Sequence, residues 1–327
     1  MKPGKIIVDC DAGIDDALAL LILIAAHKIN KIEIKAITCV YGNTSLVNVI
    51  KNVFRILNVS GNTDIPVFKG ADCPLLTIPD TEKSAEDFHG EDGFGDVYKD
   101  EPDMATLQEE SAIHAINRIV SESFGQVSLV CLGPLTNIAL VIKVYPKIVD
   151  AISQIYVMGG NIEEYFSGLN ELQRAEFNFH MDPESVHVIL KNYRKDLWVL
   201  PWETCLETKV PFEWRRNIFG RIEKPCVALM NKIEKLPYSS EKNEFEYYVS
   251  CDAFLAAAVL RSEVAEKILV RYVDVELNNT KSRGRLNYVK ADNRTGKKIF
   301  VLRNLNVEIV KEILLFAVDP IKYNIFV

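Results

Sequence analysis

The sequence predicts an α/β protein built on an open, mostly parallel sheet with helices on both faces. Short β-branched runs, apolar on both faces, recur between Gly, Pro or Asp residues, as strands covered from both sides require. Stretches of helical periodicity lie between most of them, and strand-helix alternation builds parallel sheets. No internal repeat and no Gly/Ser/Pro-rich linker interrupts the pattern, so residues 1–327 are read as a single domain.

The first strand is read at 5–10 (KIIVDC), followed by a helix at 14–29. A second strand at 33–41 (EIKAITCVY) leads into a helix at 44–58. A third at 65–69 (IPVFK) leads into the acidic segment 72–107, too long for a simple connection and read as a functional loop. A helix at 109–122, a strand at 127–132 (VSLVCL), a helix at 135–144 and a strand at 154–158 (QIYVM) follow. After a helix at 183–192 and a strand at 196–200 (DLWVL), the pattern loosens beyond residue 205. There it gives helices near 226–236 and 246–262, β-like segments at 268–276 and 285–303, and a closing helix near 306–316. In such sheets ligands bind at the carboxyl ends of the strands.

Composition narrows the function classes. With 48% hydrophobic and 25% charged residues the chain has the makeup of a folded protein with a large core. Lys plus Arg number 38 against 45 Asp plus Glu, a formal charge of -7, and no stretch interleaves basic and aromatic residues, which excludes nucleic acid as the main partner. The N-terminal region meets Asp9 after three apolar residues and so lacks a secretory apolar region, and no later segment offers about 18 uninterrupted apolar residues for a membrane span. Seven cysteines, scattered and never in a Cys-x-x-Cys pair, suit reduced thiols in the cytoplasm and argue against a thiolate zinc site.

The first strand runs into Asp9-Cys10-Asp11-Ala12-Gly13-Ile14-Asp15-Asp16, ahead of an apolar helix. Helix capping accounts for one or two of these carboxylates. Four at the mouth of an apolar strand repel one another and call for proton uptake or a bound cation, and an all-oxygen donor set selects a hard ion, Ca²⁺ or Mg²⁺. The segment DCDAGIDDALAL resembles the N-terminal signature DTDPGxDDAxAL of the inosine-uridine preferring nucleoside hydrolase family. An Asp-x-Asp at a first strand end also opens Mg²⁺ phosphatases of the haloacid dehalogenase class, with Asp9 as nucleophile, so the rest of the chain decides.

Further segments are similar to the family's motifs, in family order. They are Tyr41-Gly42-Asn43 with Asn52, IPVFKGADCPL at 65–75, HGEDGFG at 89–95, LGPLTNIAL at 132–140, MGGN at 158–161, Asn170, and AEFNFHMDPES at 175–185. The resemblance implies an open, Rossmann-like nucleoside hydrolase fold and Ca²⁺-dependent hydrolysis of the N-glycosidic bond of ribonucleosides, in a homodimer or homotetramer. It implies that Ca²⁺ is held by Asp11, Asp16, Asp252 and the backbone carbonyl of Leu132, with Asp11 as general base for the metal-bound water. It places Asp15, Asn43, Asn170, Glu176 and Asn178 around the ribose, where carboxylates and amide oxygens suit an oxocarbenium-like transition state. Asp9 is assigned to orienting the metal ligands.

On the base side the chain departs from the family. Members accepting purine and pyrimidine nucleosides commonly carry His before the last metal-binding Asp, whereas this chain reads Ser250-Cys251-Asp252. Cys251 is either a weak donor or a small buried thiol. His89, Trp202, Tyr247 and Tyr248 are the other candidates to contact the base. A non-catalytic member that binds metal or nucleoside is the remaining alternative.

Overall fold

The apolar run Ile6-Ile7-Val8 becomes the middle of β1 (Lys5–Cys10), the first strand of a computed structural model that describes residues 4–76, 86–162, 175–238, 247–278, 282–289 and 296–326. The strands that follow are β2 (Glu33–Cys39), β3 (Val67–Lys69), β4 (Leu107–Gln108), β5 (Val127–Cys131), β6 (Ile155–Met158), β7 (Leu197–Leu200), β8 (Val210–Pro211), β9 (Tyr247–Tyr248), β10 (Ala265–Val275), β11 (Leu286–Tyr288) and β12 (Lys297–Leu305). Ten of them form one sheet in the order β11-β10-β12-β7-β6-β5-β1-β2-β3-β4. Neighbours are parallel from β12 across to β4, and β10 runs antiparallel to both β12 and β11.

Alternation along each strand feeds two cores. Ile6 and Val8 of β1 and Val130 of β5 point to the face covered by helices Ile14–Lys28, Leu46–Ser60, Pro225–Ile233, Cys251–Leu260 and Val307–Val318. Ile7 and Leu129 point to the other face, under helices Ala112–Glu122, Thr136–Val144 and Pro183–Asn192. Helix Ile14–Lys28 is apolar on every side because it packs on the sheet and also against helices Cys251–Leu260 and Val307–Val318. Truncating one of its buried leucines, such as Leu20, is expected to cost about 2–5 kcal/mol. Among the described residues no helix is long and apolar enough to cross a membrane.

The main elements fall where the sequence predicts them, and the exceptions have local causes. The helix predicted at 246–262 begins only at Cys251, because Tyr247 and Tyr248 pair with Pro211 and Val210 as a two-stranded ribbon. The helix near 226–236 ends at Ile233, and a second short helix, Lys235–Tyr238, follows it. The β-like segment 285–303 contains two strands, β11 and β12. Helices Phe177–Met181, Trp202–Glu207 and Phe212–Asn217 are too short to show a period and are not read from the sequence. Of the long segment 72–107, residues 77–85 lie outside the described residues, and the rest includes the short helix Glu86–His89 and edge strand β4.

This topology fixes where a ligand can bind. From β1 the strand order runs one way through β2 and β3 and the other way through β5, β6 and β7. The reversal leaves a crevice between the carboxyl ends of β1 and β5, the binding position of doubly wound sheets. The four clustered aspartates lie at that end of β1.

Candidate active site

Strand β1 pairs with β5 up to the Asp9–Cys131 register position, and the Leu132 amide donates to the Asp9 carbonyl at 2.8 Å. The chain then turns at Gly13 and enters helix Ile14–Lys28. Asp16 does cap this helix: its Oδ2 accepts from the Gly13 amide at 2.9 Å and from Asn43 Nδ2 at 3.1 Å. Its Oδ1 is buried without a hydrogen-bond partner. Asp11 Oδ2 accepts from the Asn43 amide at 2.9 Å, while its Oδ1 is likewise buried and unpartnered. A third such oxygen is Asp252 Oδ1, on the first turn of helix Cys251–Leu260.

Three buried carboxylate oxygens without partners in one crevice are costly unless a cation or protons meet them. Burial raises Asp16 to about 7, and the charge of Asp15 adds to it. Burial also pushes Asp11 and Asp252 well above the usual carboxylate range, with repulsion from Asp16 and Asp15 respectively next in weight. The ligand oxygens of Asp15, Asp16 and Asp252 lie within 4.8 Å of one another, a spacing that suits one hard cation. This triplet holds two of the three carboxylates assigned to the metal from the sequence, with partly exposed Asp15 in the place expected for Asp11. Asp11 Oδ2 is instead turned onto the Asn43 amide. The Leu132 carbonyl accepts from Asn178 Nδ2 at 2.7 Å, which fixes its direction and leaves a second lone pair.

Two glycines make room for Asp11. A Cβ at Gly133 would come within 2.7 Å of Asp11 Oδ1, and one at Gly42 would overlap Asp11 Oδ2. The carboxylate therefore sits in a slot whose walls are bare backbone, contributed by the turns after β2 and β5.

Other predicted residues fall close by, with contacts of their own. Asn43 bridges Asp11 and Asp16. Glu176 caps helix Phe177–Met181, accepting from the amides of Asn178 at 2.8 Å, Gly160 at 2.8 Å and Phe179 at 3.2 Å, and burial raises it to about 7 despite these bonds. Asn178 bonds the Leu132 and Met158 carbonyls. Asn170 lies outside the described residues. Asp9 stands apart: its Oδ1 accepts from Thr38 Oγ1 at 2.5 Å and Asn137 Nδ2 at 2.7 Å, and burial raises it to about 7.

The base-side candidates separate. His89 is buried, and its Nδ1 accepts from the Ile14 amide at 3.0 Å, at the N-terminus of the helix bearing Asp15 and Asp16. Burial lowers its pKa, and the charge of Asp15 opposes that shift. Cys251 is in the core with its thiol against Cys205, which is the packing role. The Tyr248 hydroxyl donates to Glu234 Oε1 at 2.7 Å, and Glu234 pairs with Arg215 at 2.6 Å. Tyr247 stacks under the Lys209 ammonium at 5.4 Å. Trp202 begins a helix after β7, its amide donating to the Gly160 carbonyl at 3.1 Å, and its indole Nε1 is buried without a hydrogen-bond partner.

Asn137 lies in the matched LGPLTNIAL motif, but the sequence assigns it no role. Its Nδ2 reaches both Asp9 and, at 3.0 Å, the Cys39 carbonyl, and its Oδ1 accepts from the Ala71 amide at 2.8 Å. It thereby ties the carboxyl ends of three adjacent strands, β1, β2 and β3. The signal was the Thr-Asn at the start of helix Thr136–Val144, which a lone sequence cannot tell from a turn.

Comparison with known proteins bears on the family and the fold. A family model described as inosine-uridine preferring nucleoside hydrolase matches residues 6–312. A Leishmania major protein of that name is 38% identical over 283 residues, 86% of this chain and 86% of its own length. One from Crithidia fasciculata is 38% identical over 188 residues, 57% of this chain, and the match spans only 56% of that relative's length. Among solved structures, an inosine-guanosine nucleoside hydrolase superposes with a TM-score of 0.84 at 26% identity, covering 96% of this chain and 98% of that one.

Proposed function

Since the chain belongs to the inosine-uridine preferring nucleoside hydrolase family, we propose that it cleaves the N-glycosidic bond of ribonucleosides with water, releasing base and ribose in a Ca²⁺-dependent reaction. The observation that carries this reading is the set of buried, unpartnered oxygens of Asp11, Asp16 and Asp252 at the point where the strand order reverses. Asp11, Asp16, Asp252 and the Leu132 carbonyl would hold the ion, with Asp15 beside them. Bound there, Ca²⁺ supplies Lewis acidity toward water and grips vicinal hydroxyls, which its tolerance of seven or eight oxygen ligands permits.

The chain's own groups do the rest. Asp11 Oδ1 takes the proton of the attacking water, and the glycine slot holds the carboxylate still for that transfer. Asp15, the partly exposed member of the cluster, accepts from a ribose hydroxyl. Asn43, Glu176 and Asn178 line the sugar side, where negative and dipolar groups stabilise positive charge developing on the ring. His89, held neutral by burial and with Nδ1 committed to Ile14, carries its proton on Nε2 and donates a hydrogen bond from it to the leaving base, whose proton comes from solvent. Cys251 takes no part in the proton transfers. Seven unpaired cysteines support a reducing cytoplasm, and a homodimer or homotetramer is the assembly that the family likeness suggests.

A phosphatase using Asp9 as nucleophile is not favoured, since that side chain is 1% exposed and bound by Thr38 and Asn137. The test is ribose release, by reducing-sugar assay, from inosine, adenosine, guanosine, uridine and cytidine by the wild type and by Asp11→Asn. Turnover by the wild type that is lost in a folded Asp11→Asn supports the reading. Full activity in that variant would remove Asp11 as base. No turnover on any nucleoside, with Ca²⁺ bound, would favour a non-catalytic member.

A further inference from the structure

We propose that Asn52 is a positioning residue that locks the loop bearing His89 onto the turn bearing the catalytic carboxylates; this rests on the function proposed above. Asn52 lies in helix Leu46–Ser60 and is wholly buried. Its Nδ2 donates to the Ala12 carbonyl at 3.0 Å and to the Asp92 carbonyl at 2.8 Å, and its Oδ1 accepts from Arg55 Nη1 at 3.1 Å. One amide thus uses both of its N–H groups to join two segments distant in sequence.

The two ends of that bridge matter. Ala12 follows Asp11 directly, and Asp92 lies three residues after His89. His89 itself accepts from the Ile14 amide at 3.0 Å, so Asn52 and His89 bracket Gly13, whose own amide goes to Asp16. The loop is therefore fastened at two points, to Ala12 through Asn52 and to Ile14 through His89, on either side of Gly13.

The seat leaves no slack. A Cβ at Gly93 (φ +79°) would lie 2.7 Å from Thr44 Cγ2 and 3.0 Å from Asn52 Nδ2. One at Gly95 (φ +68°) would lie 2.6 Å from the Ile233 carbonyl. Thr44 Oγ1 adds a second tether, donating to the Glu91 carbonyl at 2.6 Å. Asp11 has separate support from the Asn43 amide at 2.9 Å. Cutting the Asn52 bridge therefore loosens the His89 loop, which Thr44 and the His89–Ile14 bond still hold, and leaves the metal-binding carboxylates in place.

The experiment compares Asn52→Leu, a near-isosteric change that removes both donors, with Thr44→Val, which cuts the second tether at a more exposed position. Hydrogen exchange of residues 89–96, Ca²⁺ affinity and kcat/KM for ribose release are measured in the full-length protein. The expected result is faster exchange in the loop, a fall in kcat/KM of about 10–100-fold for Asn52→Leu and less for Thr44→Val, and Ca²⁺ affinity within about twofold of wild type. The double variant Asn52→Leu/His89→Ala should be no worse than His89→Ala alone, because both changes remove the same contribution. Unchanged loop exchange, additive losses, or a collapse of Ca²⁺ affinity in step with activity would each overturn the proposal. If Asn52→Leu does not fold, Thr44→Val still decides through exchange and activity. If the wild type releases no ribose from any nucleoside, the proposed function fails, and the exchange measurements still judge the tether.

Discussion

Adding calcium should raise the melting temperature by an amount the site geometry fixes in sign and the chain length fixes in scale. On the proposed function, Ca²⁺ would bind an assembled cluster of Asp11, Asp16 and Asp252 that the unfolded chain does not possess, so saturation would stabilise the native state by mass action. At a free concentration about 1,000 times Kd this amounts to about 4 kcal/mol. With an unfolding entropy of about 2.1 cal/mol/K per residue, 327 residues give about 0.7 kcal/mol/K, and the expected rise is about 6 °C. The increment depends on pH in a definite direction. Burial raises Asp16 to about 7 and also pushes Asp11 and Asp252 well above the usual carboxylate range. Between about pH 4 and 7 the calcium-free native state therefore binds more protons than the unfolded chain and loses stability as pH rises. Calcium replaces those protons, so its increment should grow over that window and be smaller at about pH 5.5 than at about pH 8. Differential scanning fluorimetry with a calcium titration from chelator, repeated with Mg²⁺ and with Asp16→Asn, measures this. A melting temperature indifferent to calcium at pH 8, or an equal rise in Asp16→Asn, would refute the reasoning.

Other outcomes follow from the same contacts. Asp11→Asn should lower kcat by about 10²–10⁴-fold with the fold intact, as loss of a general base does, checked by ribose release and circular dichroism. Gly133→Ala should lower both activity and calcium affinity, because the new methyl group occupies space 2.7 Å from Asp11 Oδ1; unchanged calorimetric binding would contradict the slot. Tyr248→Phe removes a buried bond to Glu234 and should cost about 1.5–3 kcal/mol in urea unfolding while leaving kcat near wild type. Cys251→Ala should likewise leave kcat within about twofold, since the thiol packs on Cys205; a large loss would restore it as a donor.

Much of this architecture is legible in the chain because β1, β2, β5, β6 and β7 are largely buried on both faces and carry short, mostly apolar runs, unbroken in β6 and β7. The ribbon formed by Tyr247 and Tyr248 is not, since two residues show no period and their pairing with Val210 and Pro211 is a tertiary event. At the site, Asp11 and Asp16 stand out in the sequence because they belong to an unusual cluster of four acids, whereas Asp252, alone among apolar neighbours, is found only through the family resemblance. Asn52, Asn137 and the glycines at 42 and 133 lie within motifs the sequence matches, but what they do rests on distance and backbone shape, which one sequence does not display. Tyr248 illustrates the reverse case: a polar residue four positions before Asp252 whose hydroxyl is spent on Glu234.

The most direct test of the central claim is ribose release from inosine and uridine by chelator-treated protein as calcium is returned in steps. The account predicts no turnover without the ion and activity that rises in proportion to a single occupied site, with Asp252→Asn needing far more calcium. Full turnover in excess chelator, or calcium bound with no ribose released from any ribonucleoside, would contradict it.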